Sequence, residues 1–151
     1  MNFSEVLIKL GLALVLGGAI GIEREKSHKP AGFRTNVLIC LTSAMVMILA
    51  EKFAGASGTR TDSVMRIAAG VITGVGFLGA GAIIQSRGSV HGLTTASVIW
   101  AVAGLGLVIG AGYYAEAAVF AAILLLTLIL FRKVEKLFGH VHEDDTHHAG
   151  H

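Results

Sequence analysis

The sequence predicts an all-α fold, a polytopic membrane bundle of about five transmembrane helices. Three observations point there. The 151 residues are 54% hydrophobic and 15% charged, with a mean hydropathy of +0.72, whereas soluble domains run near ~45–50% apolar and ~25% charged. Five apolar segments of span length can be drawn along the chain. Where two of them nearly fuse, Gly110-Ala111-Gly112 interrupts the run.

The first segment, Val6–Ile22, is short and carries Lys9, whose stem can follow apolar surface while its ammonium reaches the interface. It lacks the basic start of a signal peptide and is expected to be a retained span. The second, Asn36–Phe53, contains the single cysteine, Cys40, which excludes an intramolecular disulfide and reads as a small packing residue. The third, Arg66–Ile84, is ~28 Å long at ~1.5 Å per residue, roughly the hydrocarbon thickness of a bilayer. The fourth and fifth, Leu93–Ile109 and Tyr114–Phe131, are expected to form a tight hairpin with Tyr113 and Tyr114 at the interface, because one continuous helix would be about twice a bilayer long. Trp100 lies too deep in the fourth span for an aromatic belt and is expected to pack. The chain thus divides into a transmembrane domain, residues 1–131, and a tail, 132–151, basic and then His-rich, expected to be disordered at its end.

Five spans put the termini on opposite sides. Arg24, Lys26, Lys29, Arg34, Arg87, Arg132, Lys133 and Lys136 fall on one side, and Lys9, Lys52, Arg60 and Arg66 on or near the other. The positive-inside rule predicts an external N-terminus and a cytoplasmic C-terminus.

The third span holds Gly74-x-Gly76-x-x-Gly79, the spacing of a dinucleotide-binding turn. That motif needs a strand before it and an acidic ribose partner about 20 residues on; here apolar residues flank it and the acid is absent. Gly70, Gly74, Gly76, Gly79 and Gly81 therefore read as helix-packing glycines, like Gly17 and Gly21 in the first span. Small faces on the first and third spans predict that these helices touch each other, or copies of themselves.

Polar residues gather at span ends. Glu23 and Arg24 close the first span, Arg34 and Asn36 open the second after the turn Pro30-Ala31-Gly32, and Thr94 and Thr95 open the fourth. They can serve as interfacial anchors, with Asn36 or Thr95 as N-caps. They can also converge on a cytoplasmic polar site, since ionisable groups near the membrane pair and mark ion or ligand paths. On the other face, Asp62 can cap the third span or pair with Arg66, or attract cations together with Glu51 and Glu116. His140, His142, His147, His148 and His151 could bind a metal loosely, but their spacing matches no regular zinc site. No histidine lies within a span to activate a serine, no intramembrane aspartate pair can form, and no nucleic-acid module is recognisable, so enzyme and nucleic-acid functions are not expected.

Taken in order, Gly18-Ala19-Ile20-Gly21-Ile22-Glu23-Arg24-Glu25, Ala31-Gly32-Phe33-Arg34-Thr35-Asn36, Arg66-Ile67-Ala68-Ala69, Gly74-Val75-Gly76-Phe77-Leu78-Gly79-Ala80-Gly81 and Gly92-Leu93-Thr94-Thr95-Ala96 resemble the successive motifs of the MgtC/SapB family, over about residues 10–115. The resemblance implies a bacterial inner-membrane protein of about five spans, in a family whose MgtC branch is associated with survival in low magnesium and inside macrophages and with restraint of the F-type ATP synthase. The family's MgtC branch carries a soluble cytoplasmic domain after the last span. The short tail here is more similar to short SapB- or YhiD-type members, so regulation through such a domain is not expected. Asp62-Ser63-Val64-Met65-Arg66 also departs from the family's usual aspartate, which is followed by proline and lies nearer the arginine.

The expectation is a non-enzymatic inner-membrane protein, a homodimer, acting in magnesium homeostasis or acid and low-magnesium stress by regulating a membrane partner. Glu23, Arg24 and Arg34 would form its site, oriented by Asn36, Thr94 and Thr95. No cofactor is expected, although Mg2+ or another divalent cation could bind. The alternative is a small-cation transporter or channel, with Asp62 and Glu51 outside and Glu23 inside.

Overall fold

In the computed structural model, which describes residues 2–54, 60–86 and 89–139, five helices run α1 (Phe3–Lys26), α2 (Phe33–Ala54), α3 (Arg60–Gly81), α4 (Leu93–Gly110) and α5 (Tyr114–Gly139). A small antiparallel ribbon, β1 (Ile84–Ser86) and β2 (Ser89–His91), joins α3 to α4, with Gln85 opposite Val90. All five helices are long and apolar enough to cross a membrane. The ribbon was not visible in the sequence, because three-residue strands are too short to register as a period-two pattern.

Hydropathy located each span but clipped its ends. α1 continues to Lys26, where Arg24 and Lys26 complement the partial negative charge of the helix C-terminus. α3 begins six residues before Arg66 and ends at Gly81, short of Ile84. Asp62 is therefore inside the first turn and not the N-cap; a carboxylate there still favours the positive end of the helix. α5 passes through Phe131 without a break and reaches Gly139, so the proposed boundary at residue 131 is not a break in the backbone. His140, His142, His147, His148 and His151 lie outside the described residues.

The helix ends follow recognisable chemistry. α4 stops in a Schellman motif: Tyr113 N–H donates to Val108 O (3.1 Å), Gly112 N–H donates to Ile109 O (2.9 Å), and Gly112 takes the left-handed conformation at φ 89°. This is the expected hairpin into α5. α1 ends the same way, with Lys29 N–H on Arg24 O (3.1 Å) and His28 N–H on Glu25 O (3.0 Å), but there the left-handed residue is His28 at φ 51°. In the next turn Ala31, at φ 56°, and not Gly32, is left-handed.

α2 is the centre of the bundle, packed most extensively against α1 and α4. Residues such as Ala13, Cys40, Ala44, Val102, Ala117 and Ala121 fill the core from α1, α2, α4 and α5. Their small size lets the helix axes approach, which matters in lipid because van der Waals packing, more than apolar burial, holds helices together there. Cys40 is fully buried, as a packing residue should be.

The expected α1–α3 packing is not among the main helix contacts of the described residues. α3 packs on α4 and α2, while the α1 glycines serve α2: a Cβ added at Gly17 would lie 2.7 Å from Cys40 Cβ, and one at Gly21 2.6 Å from Phe33 Cα. In α3, a Cβ at Gly79 would touch Ala96 at an ordinary 3.6 Å, and among the described residues nothing lies within 4 Å of the place a Cβ would take at Gly70, Gly74, Gly76 or Gly81. These four make no close helix crossing with the described residues. The tight crossings missing from the expectation are in α4: a Cβ at Gly106 would meet the Cys40 carbonyl oxygen, and one at Gly110 would lie 2.6 Å from the Ala44 carbonyl oxygen. Trp100 also departs from expectation. It is 52% exposed on the outer side of α4, beside Gly76 and Gly79.

Candidate functional site

Among the described residues, the buried charged side chains divide between the two ends of the bundle. At one end Lys9 is almost fully buried and donates to the Gly110 carbonyl oxygen at 2.9 Å, with Glu5 at 3.4 Å. The acceptor is at the C-terminus of α4, whose exposed carbonyls and dipole favour a cation. Lys9 was expected to snorkel outward; instead it ties α1 to α4. Asp62 and Arg66 are both exposed and form no ion pair with each other among the described residues.

At the opposite end, α1 and α4 meet again. Arg24, 4% exposed, donates through Nη2 to the Thr95 hydroxyl at 2.9 Å. Glu23, 8% exposed, accepts from the Ser27 hydroxyl at 2.6 Å, and Arg132 from α5 donates to that same hydroxyl at 2.6 Å. Burying these groups is costly unless they are hydrogen-bonded, and among the described residues part of the requirement is unmet: Glu23 Oε2 and Arg24 Nε are buried without a partner. No cation lies within ion-pair distance of the Glu23 carboxylate among the described residues.

These groups line a half-open cavity of about 720 Å³ between the ends of α1, α4 and α5. Glu23, Arg24, Lys29, Thr94, Thr95 and Arg132 supply its polar wall, and Leu93, Leu128 and Phe131 much of its apolar wall. Of the six residues expected to converge, Glu23, Arg24, Thr94 and Thr95 do so.

Arg34 and Asn36 do not. Arg34 is exposed on the second residue of α2, outside the cavity. Asn36 is fully buried, but its side-chain amide turns back onto the preceding loop, donating to Ala31 O and, at 2.9 Å, to Gly32 O. Because α2 starts at Phe33 and α4 at Leu93, neither Asn36 nor Thr95 is an N-cap. Glu25 instead accepts the Phe33 N–H at 2.9 Å and caps α2 from the neighbouring helix. Ser27, Lys29 and Arg132 were missed as site residues, because their sequence neighbourhoods read only as a basic loop and a tail. Among the described residues, no three His, Cys, Asp or Glu side chains are grouped to hold a metal.

Five membrane-length helices with a buried polar cluster at one end define a multi-pass membrane protein. A profile of the MgtC family matches residues 10–137, and the chain belongs to that family. It is 44% identical over 136 residues to the putative magnesium transporter YhiD of Escherichia coli K12, covering 87% of this chain and 62% of that one. It is 42% identical over 129 residues to protein SapB of Bacillus subtilis, covering 82% and 54%, and 40% identical over 127 residues to protein MgtC of Salmonella typhimurium LT2, covering 84% and 52%. The chain thus spans about half to three-fifths of the length of these curated relatives. YhiD and SapB are each longer than the region they share with this chain. No solved structure matches the chain.

Proposed function

We propose that this protein is a non-enzymatic regulator in magnesium physiology, resident in the bacterial inner membrane with its Arg24 end in the cytoplasm. The single observation that carries this reading is the Glu23–Arg24–Thr95 cluster in a cavity at one end, closed beneath by an apolar core. Such a cavity can bind a ligand and relay its presence through α1 and α4. The link to magnesium rests on the family and on the name of its E. coli relative. The proposal includes homodimerisation, a role under low-magnesium or acid stress, and a regulated membrane partner, the F-type ATP synthase by family analogy.

The test is growth in low magnesium of a strain that depends on this protein. Glu23→Gln keeps the side-chain shape and removes the charge; it is expected to abolish growth at unchanged membrane abundance. Full growth of that variant overturns the reading. A second reading, a cation transporter, draws on the buried unpartnered Oε2 of Glu23 and the relative's printed name. Magnesium flux into proteoliposomes above that of empty vesicles would favour it.

A further inference from the structure

The cavity at the Arg24 end is chemically lopsided. Arg24, Lys29 and Arg132 line it against one carboxylate, Glu23. A hard divalent cation needs several oxygen ligands and few competing positive charges, so this wall does not suit one. It suits an anion.

α4 adds to the same field. Its N-cap is Gly92, at φ 89°, which has no side chain to accept a first-turn N–H. A Cβ there would run into the Ala82 carbonyl oxygen, so the close passage of the chain after α3 keeps the position as glycine and the helix start bare. The first N–H groups of a helix have no intrahelical partner and carry the positive end of its dipole. Gly92, Leu93, Thr94 and Thr95 all face the cavity.

Two buried atoms supply an independent pointer. Among the described residues, Arg24 uses one terminal nitrogen on Thr95 and its Nε has no acceptor. Among the same residues, Glu23 uses Oε1 on Ser27 and its Oε2 has no donor. Both residues are more than nine-tenths buried and line the cavity. The complement of this pair is a ligand with an anionic oxygen for Arg24 and a hydroxyl or ammonium donor for Glu23. Donors from two guanidinium groups, Lys29, Thr94 and a helix start exceed what the two oxygens of a carboxylate can accept, and match a tetrahedral oxyanion.

We propose that the cavity binds a phosphate group whose carrier also presents an amino or hydroxyl donor to Glu23, the chemistry of phosphoethanolamine and phosphoglycerol. Leu93 and Phe131, both exposed where they line the cavity, give this chemistry an apolar border against which acyl chains can pack. The inference rests on the reading of this cavity as a ligand site and adds the class of ligand.

Two probes distinguish a lipid headgroup from a free phosphate. Full-length protein in detergent is titrated with inorganic phosphate by calorimetry. The same preparation is mixed with phosphatidylethanolamine, phosphatidylglycerol and a diacylglycerol of the same chains, and adducts are read by native mass spectrometry. Binding of phosphate, or selective retention of either phospholipid over the diacylglycerol, supports the proposal and names the source. Arg132→Gln, which leaves the Arg24–Thr95 contact intact, is expected to weaken the probe that binds by about tenfold, as loss of a charge-assisted hydrogen bond would. Arg34→Gln, outside the cavity, is expected to change nothing. Absence of binding by both probes, or binding unaltered in both Arg132→Gln and Arg24→Gln, overturns the proposal. If binding is absent while Glu23→Gln still abolishes low-magnesium growth, the phosphate assignment falls and the functional reading of the cavity stands. If phosphate binds and Glu23→Gln grows normally, the reverse holds.

Discussion

Gly106 in α4 and Gly74 in α3 both sit within apolar spans and do opposite things. Gly106 lies against the backbone of α2, so closely that a Cβ would meet the Cys40 carbonyl oxygen and come within 2.7 Å of Ser43 Cβ. Gly74 stands on the wall of an apolar groove of about 340 Å³ between α2 and α3, with none of the described residues within 4 Å of a Cβ position. The same contrast separates Gly17 and Gly21 of α1 from Gly70 and Gly76 of α3. Glycine in a span is therefore a permission for close approach, which the neighbouring helix either takes up or leaves. In this chain α2 takes it up twice, from α1 at Gly17 and Gly21 and from α4 at Gly106 and Gly110.

Single methyl groups can break or sharpen that contrast. Gly106→Ala should be the most damaging, because the obstructing atoms belong to the α2 backbone and cannot rotate away; a loss of about 3 kcal/mol is expected for such overpacking. Thermal unfolding in detergent would read it, and an unchanged midpoint would refute the α2–α4 crossing. Gly21→Ala meets Phe33 Cα at 2.6 Å near the start of α2, where the turn has more freedom, and should cost about 2 kcal/mol by the same measurement. Gly74→Ala should cost nothing and gain up to about 1 kcal/mol, since alanine is the better helix former and the space is open. A large loss at Gly74 would mean that the α3 face is covered in the membrane, as the proposed homodimer would allow. Crosslinking of that variant and the parent would then show whether a second copy is the cover.

The contrast also explains how far the sequence could be read. Span number, the hairpin at Gly112 and the packing role of Cys40 follow from hydropathy and local turn chemistry, which are written in consecutive residues. Which face of a helix meets which neighbour is not, so the glycine spacing of α3 promised a contact that the glycines of α4 actually make. The site shows the same division. Glu23, Arg24, Thr94 and Thr95 were legible because charge or hydroxyl stands out at the end of an apolar run. Arg34 stands out equally, but its position one step along α2 turns it away from the cavity. Arg132 joins only because α5 keeps its helical phase beyond the apolar stretch and returns to Ser27, 105 residues away in the chain. Lys9 looked like an interfacial anchor because its acceptor is just as remote.

That remoteness sets an order of events during biogenesis. The Gly110 carbonyl that receives the Lys9 ammonium lies 101 residues downstream. When α1 first leaves the translocation machinery, α4 has not been synthesised, and Glu5, one turn away, is the counter-charge at hand. The newborn α1 must keep its N-terminal turn near water until the α4–α5 hairpin is threaded into the bilayer. Only then can Lys9 sink against the end of α4. The last hairpin to arrive thus completes the seating of the first helix.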